Sequence, residues 1–156
     1  FYRPDSARVR KIIPEIINIL KQNNYNSKKT KILIKPYLAV QNGVLVAGGG
    51  DSAIDEARRE AVIAEAWADS LGAYLQSLSN DFSNWDTAAQ RAGIKPSALS
   101  EKAQSSDANN ALLESAGLLA PFGLGPRADI VFLNNGQELV IIRNASEFDQ
   151  LIKRLP

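Results

Sequence analysis

The residues of this 156-residue chain whose types and spacing could do chemistry fall in two short stretches. The first, FYRPDSARVRKIIP at positions 1–14, sets Ser6 among the basic side chains Arg3, Arg8, Arg10 and Lys11 at the start of an amphipathic pattern. A serine there could hold a thiolate through a hydrogen bond, or simply cap a helix by accepting a free backbone N–H. Basic charge at a helix start opposes the helix dipole, so the cluster either faces an acidic partner or lies in solvent. The second stretch, VLVAGGGDSA at 44–53, puts glycines between an apolar run and a helix start, where a backbone can approach the pyrophosphate of a dinucleotide. That fingerprint also needs a second strand ending in an acid about twenty residues on. Around Asp69 the sequence AEAWADSLGAYL is helical instead. Asp51, Asp55 and Glu56 crowd one helix start, where they complement the dipole but stand too close together for an acid–base pair.

Composition excludes more than it offers. The chain has no cysteine and no histidine, which removes thiolate nucleophiles, dithiol exchange, zinc–thiolate sites and serine–histidine triads within it. Lysine plus arginine exceed aspartate plus glutamate by one, so no whole-molecule field recruits nucleic acid or an anionic membrane. An apolar share of 45% with 22% charged residues is that of an ordinary globular domain. The apolar run Ile12–Leu20 is broken by Pro14, Glu15 and Asn18, so no membrane span is expected. The opening Phe1-Tyr2 reads like the end of a strand, which suggests a processed product or a fragment with residues upstream.

The elements that must position these residues follow from periodicity. Val9, Ile12, Ile13, Ile16, Ile17 and Leu20 predict a helix over 6–23, capped by Asp5 or Ser6 and bent at Pro14. Residues 23–31 are loop. Lys31–Val40 predicts a buried strand with Pro36 at its edge or end, and Val44–Ala47 a second short apolar run after the turn Gln41-Asn42-Gly43. Residues 51–79 predict a helix capped by Asp51 or Ser52, with Ala53, Ala57, Ala61, Trp67, Leu71 and Tyr74 inward and Asp55, Glu56, Arg58, Arg59 and Glu60 between them. Trp67, Tyr74 and Trp85 read as core aromatics. Further helices are expected at 85–92, ended by Gly93, after Lys95-Pro96 with a cap near Ser97, and at 107–119. Ala120–Arg127 is a constrained loop. Short strands at 129–133 and 138–143 flank Asn134-Asn135-Gly136, and Ser146, which also completes a glycosylation pattern with Asn144, caps a last helix bearing Phe148, Leu151, Ile152 and Leu155.

Phe1, Tyr2, Pro4 and Pro14 stand in the register of a thioredoxin active-site segment, with Ser6 and Val9 at its two cysteine positions. The element order resembles a thioredoxin fold whose first strand is cut away and which carries a helical block before its hairpin. WDTAAQRAGIKPSALSEKAQSSDANNALLESAGLL at 85–119 is similar to the helical insert of the periplasmic disulfide oxidoreductases of the Dsb type. GLGPRADIVFLNNG at 123–136 resembles the segment that enters that family's hairpin. The resemblance implies one α/β domain over 1–156, a thioredoxin-like mixed sheet with a helical insertion at 51–120.

The departures from the family decide the expected function. Serine is too weakly acidic to replace an attacking thiolate, and Val9 has no nucleophile. The family's cis-proline position falls at Ala128, with Pro126 two residues early. Both devices are missing together, so the resemblance implies a non-enzymatic module for protein contact, without cofactor, within a bacterial cell-envelope assembly such as a secretion or conjugation system. The face expected to meet the partner is Tyr2, Arg3, Asp5, Ser6 and Arg8 with Pro126, Arg127, Ala128 and Asp129. Two other readings compete: a glutathione-like thiol ligand held by Ser6 and the Pro126 loop, and a dinucleotide at the GGGDSA turn.

Overall fold

The computed structural model describes residues 1–22, 32–79, 81–123, 130–134 and 138–154. The apolar spacing of the first segment forms α1 (Ala7–Gln22), which buries Val9, Ile13, Ile16, Ile17 and Leu20 and runs on through a buried Pro14. Just before it, Tyr2 pairs on both sides, in parallel with Pro36 and antiparallel with Ile130. The Tyr2 N–H donates to the Lys35 carbonyl at 3.0 Å, and the Tyr37 N–H donates to the Tyr2 carbonyl at 2.8 Å. In this parallel geometry the Pro36 nitrogen points away from Tyr2, so its missing N–H costs the pairing nothing. Pro36 therefore sits within the pairing rather than at a strand end, and residues 32–38 form one bridge rather than the continuous strand expected there.

Phe1 and Val131 exchange both hydrogen bonds, at 2.7 and 2.8 Å. β3 (Val131–Asn134) then pairs antiparallel with β4 (Glu138–Ile141), while Asn135, Gly136, Leu155 and the loop at 23–31 lie outside the described residues. Backbone pairing thus runs Pro36–Tyr2–Ile130, and Ile142 extends it by donating to the Ile130 carbonyl at 2.9 Å. The amides of Tyr2, Tyr37, Val131 and Ile142 are expected to be among the slowest to exchange with deuterium. Loop-like exchange at Tyr37 and Val131 would refute this order.

A second sheet is the hairpin β1 (Ala39–Gln41) and β2 (Val44–Val46). Its two-residue turn has positive φ at both Asn42 (51°) and Gly43 (78°), which Asn-Gly adopts readily. The short run at 44–46 is therefore a strand and not a buried loop. The described residues make a mixed α/β architecture of two small antiparallel sheets and seven α-helices.

The helix expected at 51–79 is broken in two. α2 (Asp51–Ala66) stops where Trp67 leaves helical geometry at φ −140°, and a single 3-10 turn leads into α3 (Leu71–Ser77). α4 (Trp85–Arg91), α5 (Pro96–Ala103) and α6 (Ser106–Leu119) follow, and α7 (Ala145–Ile152) ends the described chain. Three caps differ from expectation. Gly50, not Asp51 or Ser52, precedes α2; Lys95 precedes α5, with Pro96 in the first turn in place of a Ser97 cap. Asn144 caps α7 by accepting from the Glu147 N–H at 2.9 Å, while Glu147 reaches back to the Arg143 N–H at 2.8 Å. Ser146 lies inside that helix.

One apolar core joins α1 to the helical block and the hairpin. Val9, Ile13 and Ile17 meet Ile63, Leu71, Leu75, Leu99, Ile130, Ile142, Phe148 and Ile152 in a single cluster. Among the described residues, no helix is long and apolar enough to cross a membrane.

Candidate functional site

The start of α1 is held by side chains distant in sequence. Asp5, its side chain only 4% exposed, accepts Arg3 Nη2 at 2.6 Å and Arg3 Nε at 3.1 Å, and the same carboxylate accepts the Gly48 N–H at 3.0 Å. The two stretches singled out in the sequence are therefore joined: the glycine turn hangs on the segment before α1. Arg8 is exposed and its Nη2 donates to the Arg143 carbonyl at 2.6 Å, tying α1 to the approach of α7. Ser6 is half-buried, and its carbonyl accepts the Arg10 N–H at 3.2 Å as the first helical bond.

The expected contact face is only partly a surface. Arg3, Ser6 and Arg8 gather at the α1 start with solvent access, whereas Tyr2 is fully buried in the core and cannot meet a partner directly. Tyr2 is drawn inward because its backbone is bridged on both sides. Val9 is fully buried as well. Pro126, Arg127, Ala128 and Asp129 lie outside the described residues, as does the peptide bond of Pro126.

The glycines of the second stretch have backbone reasons for being there. A Cβ on Gly49 would come within 2.9 Å of the Ala53 Cβ, and Gly50 has φ +65°. The preceding β2 belongs to an antiparallel hairpin, whereas a dinucleotide turn joins a parallel strand to its crossover helix. These glycines serve the hairpin-to-helix connection.

The densest chemistry lies deeper. Glu56 and Glu60, expected between the apolar positions of α2, are both 0% exposed. Glu56 Oε1 accepts the Tyr74 hydroxyl at 2.7 Å, and Glu56 Oε2 accepts Arg59 Nε at 2.8 Å. Arg59 in turn lies over the Trp85 ring, 4.9 Å from its centre. Burial raises the Glu56 pKa, an effect that Arg59 and Tyr74 partly reverse. Glu60 has no such partners: neither of its carboxyl oxygens, nor the Tyr2 hydroxyl near them, meets hydrogen-bond geometry with any group. Burial first, and then the negative Glu56, push Glu60 well above the ordinary carboxylate range, while the approach of Tyr2, with Arg10 and Arg59, offsets this in part. Tyr2 is likewise pushed up by burial and by Glu60. The two acids thus differ in their surroundings: Glu56 is paired with Arg59 and Tyr74, whereas burial and the neighbouring Glu56 favour the protonated form of Glu60.

Arg10, expected with the solvated basic cluster, is also buried. Its Nη1 donates to the Pro4 carbonyl at 3.2 Å and its guanidinium lies 4.6 Å from the Phe82 ring centre. A signal for the buried acids was present in the sequence, because Ala53, Glu56, Glu60 and Ile63 fall at steps of three, four and three, a single inward stripe. The cluster is closed to solvent, so it cannot take a substrate as it stands. No group of three or more acidic side chains converges among the described residues in a way that could hold a metal ion. No family model, no curated protein and no solved structure matches this chain.

Proposed function

We propose that this chain is a thioredoxin-like domain of the Dsb type, stripped of dithiol chemistry, that acts by protein contact at the start of α1. The observation that carries the reading is the pairing of Tyr2, parallel to the segment that follows α1 and antiparallel to the hairpin that precedes α7. This brings the strand–helix–strand unit and the β-hairpin into one mixed arrangement, in the element order of the resemblance. By the resemblance, Ser6, just before α1, and Val9, within its first turn, correspond to the family's two cysteine positions, and neither can exchange electrons.

The surface that remains there is basic and polar, with Arg3, Ser6, Arg8 and Lys11 around the helix start. An acidic extended segment is the partner chemistry that fits it, since an anion meets both the arginines and the positive end of α1. By resemblance the setting is a bacterial cell envelope, within an assembly of the secretion or conjugation kind. A photo-crosslinking residue at the exposed Ala7 of the native protein is expected to give one discrete protein adduct, lost in Arg8→Glu. Adducts that form equally in Arg8→Glu, or only from a probe at Leu118, would show that the face is misplaced. Recovery of the native protein in the cytosol would end the envelope part of the proposal.

A further inference from the structure

Glu60 is buried completely and its carboxyl oxygens have no hydrogen-bond partner, an arrangement that a carboxylate tolerates poorly and a carboxylic acid tolerates better. Its charged and titratable surroundings come from every neighbouring element. Its own helix offers Glu56 and Arg59, which are bonded to each other; α3 offers Tyr74, which is bonded to Glu56. α1 offers Arg10, and the segment before it offers the Tyr2 hydroxyl. α5 brings apolar Leu99 and Ala103 to the buried side.

We propose that Glu60 and Tyr2 form a proton-controlled latch between α2 and the segment before α1, closed while the Glu60 carboxyl keeps its proton and released when that proton leaves. In the closed state a small shift of the neutral carboxyl brings its O–H to the Tyr2 hydroxyl oxygen. After loss of the proton to solvent, an anion stands beside the Glu56 carboxylate with the Tyr2 hydroxyl as its nearest donor. Relief comes from Arg10, whose positive charge already favours the ionised Glu60, or from water entering the gap. Arg10 is bonded to the Pro4 carbonyl, inside the turn that the Ser6 N–H closes on the Arg3 carbonyl at 3.3 Å. Movement of Arg10 therefore loosens the segment before α1. The latch stands whether or not the face above it binds a partner, because it rests on the interior alone.

The sign follows from proton linkage. Glu60 is displaced upward in the folded chain, so above the unfolded carboxylate range the folded state holds its proton to higher pH than the unfolded chain does. The stability contributed at this position is complete below the unfolded carboxylate range and is lost as pH rises. Wild type and Glu60→Gln should be compared by chemical denaturation and by deuterium exchange, corrected for intrinsic rates, between about pH 5 and about pH 9. Wild type is expected to lose stability relative to Glu60→Gln as pH rises, and the Tyr37 and Arg10 amides to lose up to about ten-fold in protection per pH unit. Parallel pH profiles in the two proteins would overturn the latch. Should the glutamine variant not fold, infrared spectroscopy of the wild type decides: a protonated-carboxyl band at neutral pH that fades together with Tyr37 protection supports the latch, and absence of the band refutes it.

Discussion

Replacing Glu56 with leucine is expected to cost the fold about 3–5 kcal/mol, because it leaves the partner of a buried ion pair without its counter-charge. Arg59, with only 14% of its side chain exposed, would lose its carboxylate, and the buried Tyr74 hydroxyl would lose its acceptor. Glu60→Met, one helical turn further on, is expected to act in the opposite direction at slightly alkaline pH. It removes a carboxyl that has no hydrogen bond to lose, which corresponds to a gain of about 1–3 kcal/mol from relieved desolvation. For a chain of this size each kcal/mol moves Tm by roughly 2–4 °C, so the two midpoints should separate by roughly 10 °C or more. Urea denaturation with unchanged slope is the measurement, since a changed slope would signal an altered unfolded state. Equal losses from both substitutions would mean that the Glu60 carboxyl supports the fold as much as the Glu56 pair does. It would also remove the division of labour between the two acids.

Installing cysteines at Ser6 and Val9 together is expected to create a redox-active pair where the natural chain has none. Ser6 stands just before α1 and is partly open to solvent, so a thiolate there can attack a substrate disulfide. Val9 lies within the first turn and is fully buried, placed to resolve the mixed disulfide, and the smaller cysteine fits the space that valine fills. Each cycle moves two electrons: the protein dithiol becomes a disulfide, and the substrate disulfide becomes two thiols. The α1 dipole and the neighbouring Arg3 and Arg8 should hold the thiol at position 6 below its ordinary value of about 8.5. Titration against glutathione is expected to give a potential between about −270 and about −120 mV, the span of oxidoreductases with paired cysteines. Insulin reduction should appear in the double variant and in neither single one. A pair that stays unbridged under oxidant, or a thiol at position 6 that titrates like a free cysteine, would mean that the register with the thioredoxin segment is accidental.

Much of the local structure was legible because its causes are local. The stripe from Val9 to Leu20 forms α1, and Asn42-Gly43 turns a hairpin through two positive φ angles. Pro96 opens α5, and the apolar stripe of α7 buries Phe148 and Ile152. Where two neighbouring residues compete for one cap, local reasoning was weaker, and Asn144 displaced Ser146 because its side chain reaches the Glu147 N–H. The split at Trp67 carried no proline or glycine to announce it, and the chain turns there to bring α3 against α1.

By itself the sequence determined what chemistry is excluded, through the lack of cysteine and histidine, and where most helices and the first hairpin lie. Only the tertiary structure decided which polar residues are inside. Glu56 is buried because Tyr74, 18 residues away, and Arg59 meet its two oxygens. Asp5 is nearly buried because Arg3 pairs with it and Gly48, 43 residues away, donates to it. Tyr2 moves from an expected surface to the centre because segments remote in sequence bridge to both of its sides. A side chain's charge is written in the sequence, but the free energy of burying it depends on partners that only folding brings within hydrogen-bond reach.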